Sequence, residues 1–413
     1  METIYFAKWI LLDSGEVFVN GALSVDGSLI TGVGPRSKVR TGSEDRIVNL
    51  GDVLLLPGLI NMHIHLEEAL IRGYVKSGDE TFAAWSAKKN SRIRTFLPDQ
   101  ITSGIRLSIK ELLAQGITTI VDSSRLGHSY PILKDESIRS WIFNELHSDD
   151  VSQEQLLFEN CISRVTSPMD KVTPGIGPHA PFSLSPQMQK KIINFSKECN
   201  VPWCSHLAES AEELQAFSEK KGDIFFYATR KQPWPFDDAT TGSMQYVISN
   251  ELIPDGGICI HCNYVNGHEL SLLASKNVSF VLCFTYTLEM GHKIFPLDVA
   301  LNRNCNICLG TEGIAPHGFL SLFDELYAMK RAYPHIAAKD FLMMVTRNPA
   351  KALKADHYLG SLSVGKKADF IAVRFAHSPD EDILEELLVE EPEVTLVVID
   401  GEEIIVNYSD SKG

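Results

Sequence analysis

The sequence predicts an α/β chain: a closed (β/α)8 TIM barrel with a small β-sandwich domain formed by both termini. Three observations predict it. Between about residues 57 and 357, eight apolar runs of strand length alternate with longer amphipathic stretches. The segments before and after that region both read as short strands between Gly and Asp turns. No G-x-G-x-x-G follows the first apolar run, which removes the dinucleotide fingerprint of the rival doubly wound sheet.

The opening segment reads TIYFAKWILL, GEVFVNGALSVDG, LITGVG and RIVNL, each short and bounded by turn residues. From about residue 56 the strand candidates are LLLPGLINMHIHL, GITTIVDSS, RSWIFNEL, VTPGIGPHAP, VPWCSHLAE, GGICIHCNYV, VSFVLCF and NICLGTEG. Between them, ITSGIRLSIKELLAQ, SPQMQKKIINFSKEC and FLSLFDELYAMKRAY carry apolar residues at helical spacing. Beyond residue 358, LGSLSVGKKADFIAVRF and VTLVVIDGEEIIVN return to strands. The expected division is residues 1–56 with 358–413 for the composite β-sandwich domain, and 57–357 for the barrel.

Composition narrows the function. With 413 residues, 44% of them hydrophobic, the chain can bury a sizeable core. Its formal charge of -15 argues against a broad phosphate-binding face, so no nucleic-acid partner is expected. An anionic substrate would have to be attracted by a few local arginines. The first residues lack a basic start, an apolar run and a small-residue cleavage site. No apolar stretch approaches the roughly 18 residues that span a bilayer. A cytoplasmic protein without membrane contact is expected, its eight cysteines reduced. Cys259/Cys262 and Cys305/Cys308 each read C-x-x-C, but the gap between pairs far exceeds the about 15–20 residues of a zinc ribbon. In strand-like runs, positions i and i+3 point to opposite faces, so these cysteines read as small core hydrophobes.

The chemistry concentrates at strand ends. His63 and His65 in NMHIHLEE project from one face of a strand and can converge on one metal ion. They fall at the C-terminal edge of the first barrel strand, where barrel active sites lie. SHLAES supplies a third imidazole, His206, and three residues on the carboxylate of Glu209, suited to shuttling a proton. The plain alternative for Glu209 is the first turn of a helix, where the dipole favours an acid. His261 ends the sixth strand, with a core histidine bonded to a carbonyl as its alternative. Glu312 in LGTEG places an acid at the barrel mouth, where burial demands a metal or another cation. His179 in GPHAP closes the fourth strand and would face the same mouth.

Together PGLINMHIH, PHAP, HLAES, the strand-six histidine, LGTEG and the GSLSVGKKADFIAV tail resemble the amidohydrolase superfamily over nearly the whole chain. Within it, the chain resembles the branch of cytosine, guanine and S-adenosylhomocysteine deaminases and chlorohydrolases. The resemblance implies one divalent metal per chain, zinc ahead of iron, held by His63, His65, His206 and Glu312. It implies that His261 and Glu312 activate water and that Glu209 carries the proton. It also implies a small-molecule substrate (a nucleoside or heterocyclic amine) and a homodimer. NMHIHLEEALIRG with FAAW, HLAESAEELQAF, and the later PW and GSMQYV are similar to aminodeoxyfutalosine deaminases of menaquinone biosynthesis. On that likeness Arg72 and Trp85 would meet a substrate carboxylate and an aromatic ring, with His179 and Tyr286 also contacting substrate.

Two departures stand out. The branch usually carries Asp where this chain has Glu312, and HCPRSN where it has LCFTYT, so Leu282 lacks an imidazole and Phe284 and Tyr286 alter a substrate-facing loop. GIAPHG, with Pro316, also replaces a more polar run. The expected function is a metal-dependent hydrolytic deaminase acting on an aminated purine-like ring. A hydrolase expelling halide or alkylamine, and a non-catalytic scaffold, are the alternatives.

Overall fold

Each of the eight apolar runs contains a strand. β6 (Leu59–Ile64), β7 (Ile117–Ser124), β8 (Arg139–Leu146) and β9 (Val172–Pro178) form one parallel sheet in that order. β10 (Cys204–Leu207), β11 (Ile258–His261), β12 (Ser279–Leu282) and β13 (Asn306–Leu309) form a second. Two parallel bridges join the sheets, Ile176 to Trp203 and Ile64 to Glu312. The computed structural model describes residues 1–404 except 40, 168–170, 230–233, 235, 237–241, 316–317, 319, 378 and 380–381. Pro316, and Pro233 of the PW dipeptide, lie outside the described residues.

Alternation along the strands separates two cores. Ile60, Met62, Val121, Trp141, Phe143, Ile260, Val281 and Cys308 share one cluster between the strands. Ile120, Ile142, Ile176, Ile307 and Leu309 belong to a larger cluster that also takes in the helices, and Ile64 joins it past an irregularity in β6. The helix Pro98–Ala114 contributes Ile101, Ile105, Ile109 and Leu112, a stripe at helical spacing. Each such side chain, fully buried, contributes about 1.5–3 kcal/mol. The helix Pro186–Glu198 starts on proline, whose missing N–H costs nothing at a first helical position, and the Ser185 side chain accepts from Met188 N.

Both ends of the chain build a separate eight-stranded sheet. Its strands are β1 (Thr3–Leu11), β2 (Val17–Asp26), β3 (Leu29–Pro35), β4 (Arg46–Asn49), β5 (Leu54–Pro57), β14 (Phe370–Arg374), β15 (Glu393–Ile399) and β16 (Glu402–Ile404). The order is β16-β15-β14-β5-β1-β2-β3, with β4 beside β1. The sandwich expectation meets one hydrogen-bonded sheet here, and a second layer is not shown among the described residues. The reason is edge pairing: β5 lies parallel to β1 and antiparallel to β14, knitting the two ends side by side. Tyr5, Ile10, Leu23, Leu55, Phe370 and Val398 form its apolar core. Among the described residues no helix is long and apolar enough to cross a membrane.

All eight cysteines are free thiols. Cys305 and Cys308 fall in different cores, as their spacing requires. Cys259 and Cys262 share one core, which corrects the expectation of opposite faces. β11 ends at His261, and His261 and Cys262 take left-handed backbone, φ 66° and 54°, so strand alternation stops there.

Candidate metal centre

Strand ends deliver the polar side chains. β6 carries His63, and His65 stands one residue beyond it. β10 carries His206, β11 ends on His261, and Glu312 follows β13. Thr311 N and Glu312 N both donate to His63 O at 3.1 Å, tying the two seam strands together. Asn61 locks the same seam, donating from Nδ2 to Thr311 Oγ1 at 2.7 Å and accepting from Thr311 N at 3.2 Å. Glu312 sits at φ 58°, a left-handed backbone that costs a non-glycine residue about 1–3 kcal/mol and persists only where its surroundings enforce it.

The side chains converge. Glu312 Oε2 lies 2.8 Å from His63 Nε2, and Glu312 Oε1 3.2 Å from His65 Nε2. His63 Nε2 and His206 Nε2 are 3.1 Å apart. His206 Nδ1 donates to His179 O at 2.9 Å and His65 Nδ1 to Ser123 O at 3.1 Å. A carbonyl can only accept, so Nδ1 of both rings is a donor, and Nε2 of each faces the cluster.

A tetrahedral ion with metal–nitrogen distances of about 2.0–2.1 Å would hold its ligands about 3.3 Å apart. The spacing fits. Glu312 Oε2 is buried without a hydrogen bond, an acceptor that needs a cation. His63, His65, His206 and Glu312 each offer one donor atom, all within 4.8 Å of one another. Three imidazoles and one carboxylate suit a divalent ion such as zinc. The protonation pattern has the same cause. Burial works against a charged His65, but Glu312 prevails and raises it to about 10. Burial keeps His63 lowered despite the same carboxylate. Against burial, His63 and His65 hold Glu312 well below the carboxylate range.

A second row stands beside this cluster. Glu209 is buried, and Tyr286 OH donates to its Oε1 at 2.9 Å. Asn263 Nδ2 donates to Glu209 O, and Glu213 accepts from Glu209 N, so its backbone is clamped. Burial, then the Glu312 charge, push Glu209 up to about 8. His261 Nε2 lies 3.7 Å from Glu209 Oε1 and 3.6 Å from Glu312 Oε2. Burial pulls His261 down to about 3, and neither ring nitrogen has a hydrogen bond. His179 Nδ1 meets Glu145 Oε1 at 2.9 Å, and the same oxygen lies 3.3 Å from His206 Nδ1.

A cleft of about 690 Å³, its open mouth included, leads to these groups. His65, His179, His206, Glu209, Tyr286 and Glu312 line it. Arg72 and Trp85 do not line it. Arg72 bonds Glu111 and Gly318 O at the surface. Trp85 packs with Ile71, Tyr286 and Met290 and donates to Tyr74 O. The sequence reading passed over Glu145, Ser123, the buried Lys89–Glu68 pair, and Arg94 and Arg125 on the cleft wall. Glu145 had a signal, an acid near the end of the apolar run RSWIFNEL. The arginines had none, since loop residues follow no period.

The chain belongs to the amidohydrolase family, whose model matches residues 54–404. It is 25% identical to a 5-methylthioadenosine/S-adenosylhomocysteine deaminase of Thermoanaerobacter pseudethanolicus, over 94% of this chain and 89% of that protein. Among solved structures it resembles an adenosine deaminase from Xanthomonas campestris with bound zinc, at TM-score 0.84 and 21% identity, covering 97% and 92% of the two chains. It also resembles Helicobacter pylori aminofutalosine deaminase in complex with methylthio-coformycin, at TM-score 0.84 and 21% identity, covering 98% and 100%. These likenesses carry the fold, the α/β TIM barrel of the amidohydrolases.

Proposed function

We propose that the chain is a hydrolytic deaminase that replaces the amino group of a purine-like ring with oxygen, releasing ammonia. The supporting observation is the convergence of His63, His65, His206 and Glu312 with Glu209 and His261 beside them. The relative is a 5-methylthioadenosine/S-adenosylhomocysteine deaminase and the structural neighbours are an adenosine deaminase and an aminofutalosine deaminase, which favours this leaving group. We further infer that the two parallel sheets close into one barrel, residues 57–357, and that residues 1–56 and 358–413 make the second domain.

His63, His65, His206 and Glu312 would hold one divalent ion, zinc in the first instance. Such an ion supplies Lewis acidity that brings the pKa of a water down to about 7. The chain's own residues do the rest. Glu312 Oε2 and His261 Nε2 face one point and take the proton of the attacking water. Glu209, its Oε1 steadied by Tyr286, gives its proton to the ring nitrogen and is reloaded with the proton taken from the water. It passes that one to the departing amine, and is protonated again when the new C–OH loses its proton to become C=O. One water is consumed and one ammonia leaves for each ring converted. Burial of these groups keeps bulk water from competing for the same protons.

Ammonia release from adenosine, methylthioadenosine, S-adenosylhomocysteine, aminodeoxyfutalosine, guanine and cytosine, with zinc present, tests the reading. Turnover of at least one adenine nucleoside is expected, and aminodeoxyfutalosine is the particular substrate the sequence favours. Silence on the whole panel would overturn it.

A further inference from the structure

One helix borders the cleft with a single face. Phe82, Ser86, Lys89, Asn90 and Ile93 of the helix Phe82–Ile93 recur at three- or four-residue spacing and all line the cavity. Lys89 is the charged member of that face, and it is 7% exposed. Its ammonium forms an ion pair with Glu68 Oε1 and stands 5.0 Å from the centre of the Trp85 ring. Among the described residues it has no other polar partner. An ammonium carries three N–H donors, so Glu68 meets only part of that capacity. A substrate entering the cleft strips water from the remaining donors and keeps its affinity only where it supplies an acceptor.

The charges decide which kind of acceptor fits. Glu68 cancels the lysine's charge locally, and Glu209 and Glu312 line the same cleft, so an anion would be repelled. A neutral acceptor would not. The backbone decides where Lys89 stands. Glu68 Oε2 is buried without a hydrogen bond against Gly313, where an added side-chain carbon would come within 2.0 Å of it. Gly313 follows Glu312, at the seam where Ile64 bridges to Glu312. Glu209 follows β10, beside the other seam, where Ile176 bridges to Trp203. The Lys89–Glu68 pair and Glu209 therefore flank the metal cluster from opposite seams. Burial opposes a charged Lys89, but Glu68 and then Glu312 outweigh it and raise the lysine further. In a purine, the carbon that loses its amino group has the protonatable N1 on one side and the fused imidazole, with the neutral acceptor N7, on the other. With Glu209 at N1, the N7 edge turns toward Lys89.

We propose that Lys89, neutralised by Glu68, donates a hydrogen bond to N7 of the substrate's fused imidazole ring and so selects a purine over a single pyrimidine ring. The inference rests on the proposed deaminase reading for the orientation of the ring at Glu209.

Calorimetric titration of the zinc-loaded protein with inosine and with 7-deazainosine measures the contact without turnover. Inosine should bind roughly tenfold more tightly or better, the worth of a hydrogen bond from a charged donor, and Lys89→Met should shrink that ratio by about tenfold. Deamination of adenosine, 7-deazaadenosine and 3-deazaadenosine gives the second readout. In Lys89→Met the kcat/KM ratio of adenosine to 7-deazaadenosine should shrink by about tenfold, while the ratio to 3-deazaadenosine holds. Lys89→Met leaves Glu68 buried and unpaired, so Glu68→Gln/Lys89→Met, which removes both charges, carries the same expectation where the single variant fails to fold. A merely structural lysine would lower every rate by one factor. Unchanged ratios would therefore overturn the contact, and so would a response confined to 3-deazaadenosine. A Lys89-dependent preference for inosine without ammonia from any nucleoside would instead count against the deaminase reading and leave the N7 contact standing.

Discussion

The floor and the wall of the cleft are built differently. On the floor, His63, His65, His206 and Glu312 hold one another, and hydrogen bonds donated to Ser123 O, His179 O and Asn61 Oδ1 hold their rings and backbones. On the wall, Arg94 and Arg125 come from a helix end and a loop, and their side chains make no hydrogen bond or ion pair among the described residues. A floor of mutually fixed groups meets its ion and reacting atoms with little reorganisation, which is what a chemical step requires. A wall so loosely tied can be changed without disturbing that step. The difference teaches that one fold can keep its chemistry while its rim is rewritten for another substrate.

The largest expected effect breaks the floor. His206→Ala removes one nitrogen of the donor set and the inward partner of His63. Metal content by elemental analysis should fall from about one ion per chain to a small fraction, and turnover should drop with it by roughly a thousandfold or more. Full metal content in that variant would show that the ion sits elsewhere. An Arg125→Gln control should keep its metal, because no floor contact involves that side chain.

Glu209→Gln sharpens the comparison within the floor. The substitution keeps the shape and the Tyr286 contact while removing the titratable group. Turnover should fall by roughly 10²–10⁴-fold, the usual worth of a positioned acid–base group, with metal content unchanged. Near-full activity would move the proton carrier to another residue, with His261 the first to examine.

The same division explains what the sequence disclosed. His63, His206 and His261 lie on strands, and a strand's period of two fixes which side chains share a face. Their meeting place was therefore legible before any coordinates. Arg94 and Arg125 reach the cleft through a helix end and a loop, where no short period states direction, whereas Lys89 lies inside the helix Phe82–Ile93 on the buried face it shares with Trp85 and Ile93. Arg72 follows the metal histidines closely in sequence, yet the 3-10 turn Leu66–Ile71 carries it to the surface and onto Glu111. Cys262 misled through backbone conformation, since nothing in GGICIHC announces left-handed residues at 261 and 262. The terminal sheet was legible as strands but not in how they pair, because register across distant segments depends on partners far away in sequence.

Glu312 tests how tightly the floor is specified. On the family resemblance read from the sequence, the shorter Asp is usual at this place in LGTEG, so this chain must accommodate one more methylene. The backbone around it has little freedom. Thr311 N and Glu312 N are both bonded to His63 O, and a side chain in place of Gly313 would run into the Glu68 carboxylate. From that pinned, left-handed position the longer side chain brings Oε2 to 2.8 Å from His63 Nε2 and Oε1 to 3.2 Å from His65 Nε2. Glu312→Asp shortens the reach by one C–C bond, about 1.5 Å. The backbone cannot follow without breaking the seam between β6 and the segment after β13. Misplacement on the order of 1 Å can cost about a hundredfold in rate, so turnover should fall by about that factor, with metal affinity weakened as well. Measured side by side, metal content and deamination rate decide the matter. A gain in both on going to Asp would mean that the floor is not fitted to Glu312 and that its backbone yields more than these contacts allow.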